Sequence, residues 1–384
     1  VGQSPSPPSR VSVIIPTFNR RDLVRQAVES ALRSDGVDLE VLVVDDGSTD
    51  GTGDALRGAH GARVRYLRQE RRGRSAARNL GTGAATGELI VYLDSDDLLL
   101  PEGLRIRRDV LDADPEIDVV YGDGFYCDET GAVLERVALR WPPFQPARML
   151  ETLVLHNVIA APHLAMVRRR SLEGLGGPTF DESLHGMEDA DLWIRLAARG
   201  CRFAGIHDAV GTYRLHGGNA SAPWAPDRAR REESVRRHRH QILEADYFPR
   251  LPRGIRAECL RQCLLGAERG RPEGQEGVLT GRPFLDMPER EQARLLYLVG
   301  TENLVRDGDV ARGRSRVLAA GRLSPRSARY RAAAALARVS PRALGAVLRL
   351  RRAIAAKLRG PDPSLAPHWT SGLRGRDPEG RGRP

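Results

Sequence analysis

Residues 11–118 predict an α/β domain with a largely parallel sheet, on three observations. Short apolar runs alternate with helical patterns. The runs are continuous and brief, which suits strands buried on both faces. Each main run then stops abruptly in a polar or acidic cluster. In order, "VSVIIPTFN" (11–19) is the first run, ended by Pro16. "DLVRQAVESALRS" (22–34) sets Leu23, Ala27, Ser30 and Ala31 on one helical face. "LEVLVVDDGSTD" (39–50) is a second strand that ends in acids and Gly47, and "VRYLRQ" (64–69) a third. "RSAARNLGTGAATG" (74–87) reads as a small-residue helix closed by Gly87. "ELIVYLDSDDLLLPEG" (88–103) carries the fourth strand, and Pro101 opens another helix.

After residue 118 the pattern changes. Residues 118–139 read as a hairpin, "HLAMVRR" (163–169) and "CRFAGIHDAVGTYRLH" (201–216) as later strands, and "EDADLWIRLAARG" (188–200) as the helix between them. The expected organisation is a flexible Pro/Ser-rich lead (1–10), one α/β domain (11–225), a helical basic region (226–360) and a disordered Pro/Gly/Arg-rich tail (361–384).

At 41% hydrophobic, the 384 residues can build a sizeable core. No apolar run reaches the length of a membrane span, and the first ten residues lack the apolar segment of a signal peptide. Cys127, Cys201, Cys259 and Cys263 form no CxxC pair and read as reduced thiols, which predicts a cytoplasmic setting. Net charge is +10, but residues 301–384 hold 19 Arg/Lys against 6 Asp/Glu, so the remaining chain is slightly acidic.

In an open parallel sheet, ligands gather beyond the carboxyl ends of the strands. Three clusters fall there: Pro16-Thr17-Phe18-Asn19, Asp45-Asp46-Gly47-Ser48 and Asp94-Ser95-Asp96-Asp97. Three carboxylates together repel one another, so a positive charge is expected among them. A divalent cation, Mn²⁺ or Mg²⁺, brought with a diphosphate would supply it, because both favour hard oxygen ligands. The competing reading is ordinary turn and capping chemistry, with Asp96 and Asp97 capping the helix near Pro101. Neither GxGxxG after the first strand nor GxxxxGK[ST] is present.

"VSVIIPTFNR", "LEVLVVDDGSTDGT", "GRSAARNLGTGAATGELIVYLDSDD" and "HGMEDADLWIRL" together resemble the family-2 inverting, nucleotide-sugar-dependent glycosyltransferases, over roughly residues 11–220. The resemblance implies the GT-A fold, a Rossmann-like mixed sheet flanked by helices, here with a helical C-terminal extension. It implies that Pro16, Thr17, Phe18 and Asn19 line the nucleotide pocket, with Phe18 against the base. Asp46 would accept a hydrogen bond from the base, usually uracil, and Arg78, Asp94 and Ser95 would lie on the nucleotide side. Asp96 would ligate the metal; Asp97 has no assigned place. Asp189 would be the catalytic base, with Glu188 and Trp193 on the acceptor side. The QxxRW motif of processive synthases is absent, which favours addition of one or a few sugars.

Inversion needs a base on one face of the anomeric carbon and a stabilised leaving group on the other. Asp189 opens an amphipathic helix, whose N-terminal N–H groups would hold it ionised. The same residues could be no more than an acidic helix cap. Asp191, two residues on, faces elsewhere. His216 in "YRLHGGNAS" either completes the metal shell or is an exposed loop histidine. His163 and His185 stay open, His185 as a residue bordering the acceptor pocket.

The Arg-rich segment 327–360 admits three readings: a helical bundle, a basic amphipathic surface meeting anionic lipid, or phosphate binding on nucleic acid. It lacks interleaved aromatics, so no nucleic-acid partner is expected. The expected partners are a nucleotide-sugar donor and a saccharide or lipid-linked acceptor, with peripheral contact at the inner face of the membrane. Two rival functions share some of these features. A nucleotidyltransferase would carry a Gly-rich basic phosphate loop near its start and lack the Glu188-Asp189 helix. A non-catalytic nucleotide-sugar-binding scaffold on the same fold would have no need of Asp46, Asp96 and Asp189 together.

Overall fold

The computed structural model describes residues 8–135, 148–217 and 227–359. The lead (1–7) and the tail (361–384) lie outside them, as does the end of the expected hairpin. Two compact units divide the chain, residues 1–259 and 260–384.

In the first unit the elements run β1 (Val11–Thr17), α1 (Arg21–Leu32), β2 (Leu39–Asp45), α2 (Thr52–His60), β3 (Arg65–Arg68), α3 (Arg74–Ala84), β4 (Leu89–Tyr92), β5 (Leu98–Leu99) and α4 (Gly103–Ala113). They continue with β6 (Val119–Cys127), β7 (Val133–Glu135), α5 (Met149–Leu153), β8 (Ala165–Arg168), α6 (Arg169–Glu173), α7 (Glu188–Ala198), β9 (Phe203–Arg214), α8 (Arg228–Glu244) and α9 (Arg253–Gln262). One mixed sheet has the order β3-β2-β1-β4-β8-β6-β9-β5, with β7 on β6. The block β3-β2-β1-β4 is parallel, and β8 joins it antiparallel to β4.

Every residue of β1 is buried, as its unbroken apolar run requires. Val13 and Ile15 pack with Val41, Val43 and Val91 against Val24, Ala27 and Val28 of α1. Ile14, on the opposite face, lies against α3. Because β1 sits between β2 and β4, the chain leaves the sheet in opposite directions there, and a crevice opens beyond Thr17, Asp45 and Tyr92.

Two local expectations change. Helix α3 ends at Ala84, before Gly87. Gly87 instead packs on β1, where a Cβ would stand 2.6 Å from the Ser12 hydroxyl and 2.7 Å from its backbone nitrogen. The apolar residues after the acids form β5, paired with β9 through Leu98↔Thr212, so the acidic turn is pinned between two strands.

The helical region expected from residue 226 does not begin as a separate body. Ser234 of α8 accepts from His185 N at 2.7 Å, and Gln241 donates to Asp181 at 2.9 Å, both within the first unit. The second unit holds α10 (Pro272–Thr280), α11 (Arg282–Leu285), α12 (Glu289–Glu302), α13 (Val310–Leu323), α14 (Ala328–Val339) and α15 (Pro341–Arg359). Its core gathers Ala293, Tyr297, Val317, Ala320, Ala337 and Leu344. Buried Arg316 donates to Gln275 at 2.6 Å and Asn303 at 2.7 Å, which satisfies a charge that α13 carries inward.

Candidate active site

The acidic turn after β4 is compensated by side chains of the protein itself. Asp94 accepts from Arg78 at 2.5 Å. Asp96 meets Arg20 at 2.6 Å and His216 Nε2 at 2.9 Å. Asp97 accepts from the backbone of Arg214 at 2.9 Å and faces His163 Nδ1 at 3.2 Å. Two arginines thus bring positive charge to the turn, and histidine nitrogens face Asp96 and Asp97.

Asp97 has a structural place. It is 2% exposed, and Arg214 behind it is fully buried. Arg214 donates to the Asp96 carbonyl at 2.7 Å, the Glu129 carbonyl at 2.6 Å and Gln26 at 2.9 Å, so the end of β9 clamps the turn. Burial pushes the Asp97 carboxyl up to about 6, with His163 opposing and Asp96 and Asp94 adding to it. His163 is also fully buried, beside Gly211, where a Cβ would come within 2.5 Å of its ring.

Asp96 and His216 are the pair that could hold a metal. Burial disfavours the Asp96 carboxylate, but His216 and Arg20 outweigh it and bring its pKa to about 2, so it stays ionised. Among the described residues no group of three or more His, Cys, Asp or Glu surrounds a metal position. One carboxylate plus one imidazole still suits Mn²⁺ or Mg²⁺, which keep waters and substrate phosphate in their shell.

On the nucleotide side, Pro16 and Thr17 are buried at the end of β1, and Ser95 is buried in the acidic turn. Thr17 Oγ1 has no hydrogen-bond partner among the described residues. Asn19 adopts φ 51°, a conformation asparagine tolerates, and its Oδ1 accepts from Thr49 N at 2.8 Å, bracing the loop after β1 against the loop after β2. Asp46 folds onto residues 69–73. It accepts from Gln69 at 2.7 Å and from the backbone of Arg72 and Gly73 at 2.8 Å each. Both of its oxygens are thus engaged in holding the loop 69–73. The Arg71 guanidinium lies 4.1 Å from the centre of the Phe18 ring.

Arg78 differs from its expected place. It is fully buried, and its other nitrogen donates to Glu188 at 3.0 Å. Burial works against its charge, but Asp94 and Glu188 hold it firmly protonated. Glu188 also meets Arg74 at 2.6 Å and accepts from Gly186 N at 2.6 Å. Burial opposes its ionisation, Arg74 and Arg78 overcome that, and its pKa falls to about 2.

Three expectations for α7 are corrected. Glu188 is 3% exposed with its oxygens engaged, so it anchors the helix start and does not offer itself to an acceptor. Trp193 is 1% exposed and belongs to the core, for it lies one helical turn inside a helix buried on that side. Asp189, partly open at the surface, is not held ionised by the helix N-terminus. Burial, and then repulsion from Glu188, raises its pKa to about 6. The hydrogen bond it accepts from Ala190 N at 2.8 Å and the charges of Arg74 and Arg78 only moderate that rise. Asp191 is tied to Arg195 at 2.7 Å, away from the site. His185 is exposed.

The sequence reading missed Arg20, Arg71, Arg74 and Arg214. Their signal was the density of arginine flanking the motifs, in "FNRR", "ERRGR" and "YRLH".

The site thus joins an acidic turn at the sheet switch point to a Glu-Asp pair that opens α7. The model of Glycosyl transferase family 2 matches residues 12–176. The succinoglycan biosynthesis protein ExoO of Rhizobium meliloti (strain 1021) is 33% identical over 300 residues, 74% of this chain and 78% of that protein. This chain belongs to glycosyl transferase family 2. Chondroitin synthase of Escherichia coli is 31% identical over 213 residues, which are 55% of this chain and 30% of the synthase. The chain thus spans about a third of that relative's length. The structure of S. aureus TarS 1-349 in complex with UDP-GlcNAc shares the fold, with a TM-score of 0.53 at 20% identity over 90% of this chain and 92% of that one.

Proposed function

We propose that this chain is an inverting glycosyltransferase that moves a sugar from a nucleoside diphosphate sugar, UDP-linked, to an acceptor hydroxyl in the assembly of a cell-surface polysaccharide or glycoconjugate. The observation that carries the reading is the pair of unlike carboxylates opening α7. Glu188 is locked ionised by Arg74 and Arg78, while adjacent Asp189 is raised to about 6 and partly open. A base poised near neutral pH is what deprotonation of a hydroxyl during attack requires. ExoO, of which this chain covers most, is named for succinoglycan biosynthesis, and TarS holds UDP-GlcNAc; both agree with the reading.

In this mechanism the acceptor hydroxyl approaches Asp189, which takes its proton as the oxygen attacks the anomeric carbon. The nucleotide lies across the ends of β1, β2 and β4, with its base toward Phe18 and the loop 69–73 that Asp46 holds. The diphosphate faces Asp96. Asp96 and His216 would hold Mn²⁺ or Mg²⁺, which when bound would neutralise charge on the departing diphosphate. Arg78 keeps the two halves in register, since it touches both Asp94 and Glu188. The acceptor is a saccharide or a lipid-linked saccharide, and transfer of one or a few sugars fits the missing processive motif.

Peripheral contact with anionic membrane at the cytoplasmic face belongs to the same reading. No helix among the described residues is long and apolar enough to cross a membrane. Helix α15 exposes Val347 at 53% and Leu350 at 63%, next to exposed Arg349 and Arg351. Apolar side chains flanked by arginine suit the headgroup layer.

Calorimetric titration with a panel of nucleotide sugars, in Mn²⁺ and then in EDTA, tests the proposal. A UDP-sugar should bind in Mn²⁺ and lose most of its affinity in EDTA or in Asp96→Ala. Equal affinity in all conditions would sink the metal assignment, and binding of none of the sugars would sink the donor reading.

A further inference from the structure

We propose that Arg20 is a resident counter-ion for the metal position: it holds Asp96 in the nucleotide-free protein and passes to the diphosphate when metal and nucleotide arrive. The proposal rests on the metal-diphosphate reading above. Arg20 Nη1 stands 2.6 Å from Asp96 Oδ2, the same oxygen that His216 Nε2 meets at 2.9 Å. A guanidinium is therefore seated on the carboxylate oxygen that a metal held by Asp96 and His216 would take.

The turn needs a cation whether or not nucleotide is bound, because Asp94, Asp96 and Asp97 crowd one another. Its other arginines are built in. Arg78 and Arg214 are each 1% exposed, and each reaches two or more separate partners. The Arg20 side chain is more open to solvent, at 31% exposed. Its backbone is anchored on both sides: Asn19 N donates to Ser48 Oγ at 2.9 Å before it, and Val24 N donates to the Arg20 carbonyl at 2.9 Å after it. A long side chain on a fixed backbone can change partner with little rearrangement elsewhere.

A guanidinium and a divalent ion repel each other at one oxygen, so the ion must displace Arg20. A diphosphate gives the displaced guanidinium a fork-matched anion nearby. Metal and diphosphate should therefore bind cooperatively, each weakly alone. Arg20 would both suppress unproductive metal loading and grip the leaving group.

The test uses Mn²⁺ and inorganic pyrophosphate, so that it does not depend on the base or sugar. Free Mn²⁺ is followed by electron paramagnetic resonance and pyrophosphate by calorimetry, on the full chain and on Arg20→Gln and Arg20→Lys. In Arg20→Gln, Mn²⁺ alone should bind about fivefold tighter, the worth of one competing partly exposed ion pair. Pyrophosphate in saturating Mn²⁺ should bind about tenfold weaker, the worth of one charge-assisted contact. Arg20→Lys keeps the charge and should stay close to wild type for Mn²⁺ alone, so it also separates a charge effect from a folding defect. If Arg20→Gln binds Mn²⁺ no tighter than wild type, or weakens both ligands alike, the proposal is wrong. If wild type binds no pyrophosphate even in saturating Mn²⁺, the metal-diphosphate reading itself fails and takes this proposal with it.

Discussion

Arg78 and Glu188 are joined at 3.0 Å by a guanidinium with no exposure to speak of, and the second nitrogen of that guanidinium holds Asp94 at 2.5 Å. The acidic turn after β4 and the first residue of α7, 94 positions apart in the chain, thus share one cation. The acidic turn and the start of α7 are held at a fixed spacing by this bridge.

Replacing the bridge should be severe. Arg78→Met leaves two carboxylates without their shared partner, one of them nearly sealed from water. Loss of one member of a buried ion pair costs about 3–5 kcal/mol. Urea unfolding should show a loss of that order, with Arg78→Lys falling between the variant and wild type because a point charge cannot reach both acids as a planar fork does.

The pH dependence of transfer should follow Asp189. Its carboxyl is raised to about 6, and it acts only when deprotonated, so the rate should be steady above pH 7 and fall with falling pH through about 6. Repulsion from Glu188 is part of the cause. In Glu188→Gln the inflection should therefore move to lower pH, whatever happens to the maximal rate. A pH–rate profile of both proteins checks the direction.

Asp97 should leave its mark on stability, not on rate. Its folded-state carboxyl, at about 6, lies above the ordinary aspartate range. The folded protein therefore keeps this proton longer than the unfolded chain does. The stabilisation is full below about pH 4 and is lost as pH rises through about 6. Asp97→Asn removes that titration while its amide oxygen can still accept from Arg214 N. The stability of wild type relative to the variant should fall by on the order of 2 kcal/mol between pH 4 and 7, a window set by the two pKa values. Acids away from this turn titrate alike in both proteins and cancel. Paired urea titrations across that range measure the difference.

Helix α15 should carry the membrane contact. The full chain should sediment with vesicles containing anionic lipid at low salt, and not with neutral vesicles. Arg349→Glu with Arg351→Glu should abolish sedimentation, since each basic residue near an anionic surface contributes about 1 kcal/mol. Sedimentation unaffected by the double change would assign the exposed residues to another partner.

Much of the fold was legible because it depends on local pattern. The unbroken apolar run of β1, the acids that end β2 and β4, and the small residues of α3 each specify a strand or helix without reference to distant residues. The site was legible only in part. Asp96, His216 and Asp189 could be named as candidates because a motif carries them. The partners Arg20, Arg74 and Arg214 could not, because an ion pair between residues tens or hundreds of positions apart has no periodicity to read. Trp193 and Glu188 were placed on the acceptor side for the same reason: helix spacing tells which face a residue is on, and burial by the rest of the chain decides whether that face meets water. At Asp189, burial and a carboxylate next door outweigh the favourable field of one helix end.

The central claim is that Asp189 takes the acceptor proton, and the most direct measurement compares Asp189→Asn with Asp191→Asn. Asparagine keeps the size and the hydrogen bond from Ala190 N but cannot accept the proton. Once an acceptor is identified, Asp189→Asn should transfer about 10²–10⁴ more slowly than wild type, the usual worth of a general base. Its affinity for the nucleotide should stay nearly unchanged, because the proposed nucleotide contacts lie at the ends of β1, β2 and β4. Asp191→Asn, which loses the ion pair with Arg195 and the approach to His238, should keep most of its activity. An Asp189→Asn protein that transfers sugar within a few-fold of wild type, beside an inactive Asp191→Asn, would contradict the account.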